Sequence, residues 1–135
     1  MHSDELDALV ERARAARERA YAPYSKFAVG AALLCDDGAI VEGVNVENAS
    51  YGLSMCAERS AVFAAVAGGR RAFQAIAIAG PGSTATAPCG ACRQVLNEFN
   101  PSLAVAYAGP DGVVRTTLDR LLPAAFGPQS LEPHV

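Results

Sequence analysis

Three cysteines set the tightest constraint on how this chain folds. Cys89-Gly-Ala-Cys92 is a C-x-x-C pair that opens an apolar-periodic stretch directly after Pro88, and Cys56 opens a second such stretch in Cys56-Ala-Glu58. A thiolate at a helix start is favoured by the helix dipole and by backbone N–H groups that lack intrahelical partners. A fold that brings the two helix starts face to face presents three soft ligands to one cation, a set that suits zinc. The number of ligands bears on the kind of site. Structural zinc usually takes four protein ligands, whereas catalytic zinc takes three and keeps a position for a water whose pKa falls toward neutrality. Glu58, two residues from a ligand, is a candidate to move protons between that water and a substrate. Zinc with three thiolates carries a net charge near −1, so a cation is expected nearby. Arg59 is the candidate donor to the thiolates, against the plain alternative of a surface arginine.

Composition limits the alternatives. The chain has four cysteines and two histidines, His2 and His134, both at its ends, which makes imidazole catalysis a poor fit. With 135 residues, 51% of them hydrophobic, one core without disulfide support is expected. Eleven Lys+Arg against 14 Asp+Glu give a formal charge of −3, which disfavours a nucleic-acid partner. Met1 to Asp7 lacks the apolar core of a secretory signal, and no apolar run approaches the ~18 residues of a membrane span. A cytoplasmic location with no membrane partner is the expectation, and thiols there stay reduced.

The pattern along the chain predicts a helix over about Asp4–Ala20 capped by Ser3, with Leu6, Leu9, Val10 and Ala13 on its apolar face. Ala28–Cys35 and Ile40–Asn45 read as a hairpin around Asp36-Asp37-Gly38. Helices follow over about Ala57–Ala67, stopped by Gly68-Gly69, and over Cys89–Phe99, with a strand over Phe73–Ala79 between them. Leu103–Ala108 and Val113–Thr117 read as strands, and Leu118–Leu122 as a short helix. Val46–Met55 and Gly80–Ala87 read as irregular. The expected architecture is one α/β domain over residues 1–135, a mixed sheet of about five strands between helical layers, with disorder expected in the tail 128–135. Two other readings of the cysteines stay open. Cys35 could close a structural four-cysteine zinc site, and Cys89 and Cys92 could form a thioredoxin-like redox pair.

Five blocks of the sequence resemble the small, three-cysteine cytidine deaminases of nucleoside salvage. They are Tyr24-Ser-Lys-Phe27-Ala-Val-Gly-Ala-Ala-Leu, Gly43-Val-Asn45-Val-Glu47-Asn-Ala-Ser-Tyr51-Gly, Cys56-Ala-Glu58-Arg-Ser-Ala, Pro88-Cys-Gly-Ala-Cys-Arg-Gln-Val-Leu and Leu121-Leu-Pro-Ala-Ala-Phe126-Gly. The resemblance implies a cytidine deaminase-like fold and a hydrolase that converts cytidine and deoxycytidine to uridine and deoxyuridine with release of ammonia. It implies one zinc per subunit on Cys56, Cys89 and Cys92, with Glu58 as proton shuttle. It also implies that Asn45 and Glu47 hold the ribose 3′-hydroxyl, that the Ala57 N–H meets the base, and that Phe27 packs on it. Phe126, Ala49 and Tyr51 would serve the site of a neighbouring subunit in a homotetramer. Without the resemblance, Phe27 and Phe126 read as core residues, Asn45 as a turn residue and Glu47 as a solvated one. A deaminase of another cytosine nucleoside, such as an antibiotic, is the alternative within enzymes. A structural zinc protein is the alternative outside them.

Overall fold

The computed structural model describes residues 3–82, 86–109 and 112–131. Helix α1 (Ser3–Ala16) precedes strands β1 (Gly30–Cys35) and β2 (Ile40–Val44). Helix α2 (Ala57–Ala67), strand β3 (Phe73–Ala79) and helix α3 (Gly90–Phe99) follow, then β4 (Ala104–Gly109), β5 (Gly112–Thr117) and the short α4 (Leu118–Leu121). The five strands form one sheet in the order β2-β1-β3-β4-β5. Only β3 and β4 pair in parallel, across the α3 crossover, and the other neighbours are antiparallel. This is the mixed α/β sheet expected from the order of elements.

Strand alternation sorts the core into two layers. Ala31, Leu33, Ile76, Ile78 and Val105 face one side, where they meet Ala61, Val62 and Ala65 of α2 and Leu96 of α3. Ala32, Ala75, Ala77, Ala79 and Ala106 face the other, against Leu6, Leu9, Val10 and Ala13 of α1. Small side chains on that second face let α1 lie close to the sheet. Gly30 shows how close: a Cβ there would sit 2.1 Å from the Ala13 carbonyl oxygen. On the opposite face Gly43 has the same role under α2, where a Cβ would sit 2.4 Å from the Ala57 oxygen and 2.5 Å from the Ala61 nitrogen. A strand glycine commonly marks such an approach.

Some boundaries differ from the sequence reading. The first helix includes Ser3 and stops at Ala16, with a 3-10 turn over Arg17–Arg19 and extended backbone at Ala20. The long-range pairing of Tyr21 sets that stop: its N–H donates to the Asn45 carbonyl at 3.0 Å, and its own carbonyl accepts from Glu47. Arg17, in that turn, donates from Nε to the Ala28 carbonyl at 2.9 Å. In the expected tail, Pro128–Leu131 form a 3-10 turn. Residues 132–135, and the two histidines, lie outside the described residues.

Candidate metal and catalytic centre

Helices α2 and α3 both begin at the same end of the sheet, and each starts on a cysteine. Cys56 is the N-cap of α2 and Cys89 the N-cap of α3, both with extended backbone, while Cys92 lies in the first turn of α3. Their sulfur atoms all lie within 4.8 Å of one another. Cys56 and Cys89 are 4.0 Å apart, and Cys89 and Cys92 3.4 Å. Three sulfurs at about 2.3 Å from a tetrahedral zinc ion stand about 3.8 Å apart, so the cluster fits that ion with small adjustments. Cys35 is not part of it. It is buried at the far end of β1, beside Asp36, Asp37 and Arg70, while Cys56 lies near the start of that strand. The four-cysteine reading therefore fails on strand length.

The hydrogen bonds and charge around the sulfurs favour thiolate at Cys56. Arg59, one turn into α2, donates from Nη2 to the Cys56 sulfur at 3.3 Å. The Arg59 Nε is buried without a partner among the described residues, leaving one more donor beside the sulfurs. Hydrogen bonding from Cys92 and then from Arg59 holds the Cys56 thiol down at about 5. Glu58 is 5% exposed. Burial pushes its carboxyl above the ordinary value, and the Cys56 charge adds to the push. A buried carboxyl whose pKa is raised holds a proton more readily than a free one, as a group that both accepts and returns protons must.

A cleft of about 360 Å³ opens above this cluster, lined by Phe27, Asn45, Glu47, Ala57 and Glu58 together with Cys56 and Cys89. The volume falls within the roughly 300–1,000 Å³ of small-molecule sites. Asn45 and Glu47 also order the cleft wall. The Asn45 amide accepts from the Val29 N–H at 2.9 Å and donates to the Phe27 carbonyl at 2.8 Å. Glu47 accepts from the Tyr24 and Ser25 N–H groups at 3.0 and 3.1 Å and from the Ser25 hydroxyl. The Ser25 contacts hold its carboxyl below the ordinary range. Each side chain keeps hydrogen-bonding capacity that these contacts do not use. Lys26, just before Phe27, takes φ 61 in this network.

Three of the expected substrate contacts do not line the cleft of their own chain, although Tyr51 shares an adjoining hollow with Ser25, Glu47 and Ser54, which do. Phe126 is 59% exposed and Tyr51 75% exposed, and Ala49 is exposed beside Tyr51. Sequence reasoning did not single out Ser25, Ser54, Met55 or Thr86, which also line the cleft. Ser25 carried a signal in its place in a polar loop, whereas Met55 and Thr86 carried none.

The comparisons with known proteins agree with this geometry. Residues 3–108 match the family model described as the cytidine and deoxycytidylate deaminase zinc-binding region. The chain is 46% identical over 129 residues to a cytidine deaminase of Sporosarcina psychrophila, covering 94% of this chain and 95% of that one. It is 49% identical over 120 residues to a cytidine deaminase of Halalkalibacterium halodurans, covering 87% and 91%. A crystal structure of cytidine deaminase from Burkholderia pseudomallei superposes with a TM-score of 0.86 at 52% identity, covering 93% of this chain and all of that one.

Proposed function

The chain belongs to the cytidine and deoxycytidylate deaminase zinc-binding family, and on that premise we propose that it hydrolyses the 4-amino group of cytidine and deoxycytidine. Water enters, ammonia leaves, and the products are uridine and deoxyuridine. The observation that carries this reading is the meeting of three sulfurs and a buried carboxyl, Glu58, at one cleft. Cys56, Cys89 and Cys92 would hold a zinc ion, which would supply the Lewis acidity that makes water nucleophilic at neutral pH. Glu58 takes a proton from the attacking water and delivers it to N3 of the pyrimidine; it then takes the proton of the new C4 hydroxyl and passes it to the amine, which leaves as ammonia while the C4 carbonyl forms. Arg59 and the two helix starts offset the thiolate charge. Phe27 packs on the base, the Ala57 N–H at the start of α2 binds it, and Asn45 and Glu47 hold the ribose 3′-hydroxyl. That clamp disfavours a polynucleotide, whose 3′-phosphate would occupy the same place.

We further place Phe126, Ala49 and Tyr51 at the sites of neighbouring subunits in a homotetramer. Their exposure supports that assignment. A cytoplasmic setting fits the four free cysteines. Among the described residues no helix is long and apolar enough to cross a membrane.

The test is the ultraviolet absorbance of cytidine with the purified protein, with cytosine and adenosine alongside. Loss of the cytidine band with matching ammonia release, and no change in the other two, is the expected result. A folded, zinc-loaded protein inert toward cytidine and deoxycytidine overturns the reading. Sharing of sites is tested by mixing Phe126→Ala with Glu58→Gln subunits. Hybrids should contain sites with both native residues and recover a low KM.

A further inference from the structure

Phe126 combines an exposed ring with a tightly held backbone. The ring is 59% exposed and lines no part of the cleft of its own chain. Its carbonyl oxygen, however, accepts two side-chain hydrogen bonds, from Gln94 Nε2 at 2.7 Å and from Asn97 Nδ2 at 3.2 Å. Both donors stand on α3, the helix that begins at Cys89 and carries Cys92. Asn97 is 4% exposed, one of two buried polar or charged residues in the described core. A third side chain of the same helix, Arg93, donates from Nη1 to the Leu121 carbonyl and from Nε to the Pro88 carbonyl, both at 2.8 Å. The stretch from Leu121 to Phe126 is thus tied to α3 at both ends. Between the ties Ala124 takes φ 52, a left-handed conformation disfavoured for an L side chain and kept only where the surroundings enforce it.

A segment serving only to finish the fold would bury its largest side chain. Here the backbone is fixed and the aromatic ring faces outward. We infer that Gln94 and Asn97 are positioning residues that hold Phe126 ready for the nucleoside site of a neighbouring subunit, an inference that rests on the shared-site reading above. Ordering the aromatic before binding removes an entropy cost that would otherwise fall on substrate affinity. The helix that supplies two metal ligands to one site also fixes the aromatic offered to the next. The amides act through Phe126 and touch no reacting atom, so their loss weakens substrate binding and leaves the chemical step unaltered.

The test uses the assembled, zinc-loaded enzyme with Gln94→Met, an exposed position that tolerates the change, and with Asn97→Leu. Each should raise the KM for cytidine about fivefold, the equivalent of one neutral hydrogen bond, with kcat within about twofold by the same reasoning. Zinc content and subunit number should stay constant. Gln94→Lys, which keeps an N–H donor on a long stem, should restore KM. In a Phe126→Ala background the two substitutions should have no further effect on KM, because the ring they position is gone. Lower thermal stability with unchanged KM in both variants would show a structural role and overturn the inference. So would a KM increase that persists in full without the Phe126 ring. If Phe126→Ala itself leaves KM unaltered, the shared-site reading fails and the inference with it. A KM raised by Phe126→Ala but not by Gln94→Met or Asn97→Leu refutes the positioning role alone.

Discussion

Gly43→Ala adds one methyl group at the point where β2 runs beneath α2. Its carbon would fall 2.4 Å from the Ala57 oxygen, 2.5 Å from the Ala61 nitrogen and 2.9 Å from the Ala61 Cα. Close carbon–oxygen contacts between backbones lie at about 3.3 Å or more, so the helix must retreat by about 1 Å. Overpacking of this kind costs about 1–3 kcal/mol, and the upper end applies because every blocking atom is backbone. For a chain of this size that is a fall of about 10 °C in the thermal midpoint. The second consequence is chemical. The retreating helix begins at Cys56, and metal–ligand distances tolerate only about 0.2 Å. Gly43→Ala should therefore lose zinc as well as stability. Thermal melting together with metal release to a colorimetric chelator reads both effects. Ala61→Gly in the same chain should not rescue either, since the clash is with backbone and not with the Ala61 methyl. A Gly43→Ala protein that melts within about 2 °C of the parent and keeps its metal refutes the close approach, given that cost.

Glu58→Gln preserves the shape of the buried side chain and removes its proton chemistry. Turnover should fall by about 10²–10⁴ with zinc content unchanged; a loss under tenfold would reject the shuttle. Cys35→Ser should leave the metal content of the purified protein as it was, because Cys35 stands apart from the sulfur cluster, and metal loss would reverse that conclusion. Glu42 accepts from Arg12 and Arg19, which hold its carboxyl below the usual range. A depressed folded-state pKa contributes stability that is complete above the unfolded value of about 4.3 and fades as pH falls through the lower folded value. Glu42→Gln should flatten that acid limb in pH-dependent melting while leaving stability at pH 2 unchanged.

The parts of the fold governed by local chemistry were legible in the sequence. Gly68-Gly69 stops α2, which spans Ala57–Ala67 as expected, and the apolar run Phe73–Ala79 is a strand with the expected limits. The three-sulfur site was readable because helix starts and thiolate chemistry restrict each other. Boundaries set by distant contacts were not legible. The end of α1 depends on the pairing of Tyr21 with a segment around Asn45 and Val46, and nothing near Ala16 announces it. Gly30 and Gly43 look like ordinary strand residues until the helices above them are placed. Nothing near Gln94 in sequence marks a partner for it, and only the return of the chain at Phe126 supplies one.

The placement of the three sulfurs has a consequence for how the chain comes together. Cys56 and Cys89 are 33 residues apart, one on the unit formed by the hairpin and α2, the others on the β3–α3–β4 unit. A cation gripping all three closes that loop in the manner of a covalent staple. By the polymer argument used for disulfides, a loop of that length is worth about 4 kcal/mol of unfolded-chain entropy. The same three cysteines that would hold the metal thus join two segments that must find each other during folding. Metal supply during synthesis would then govern the yield of native protein as well as the activity of each molecule.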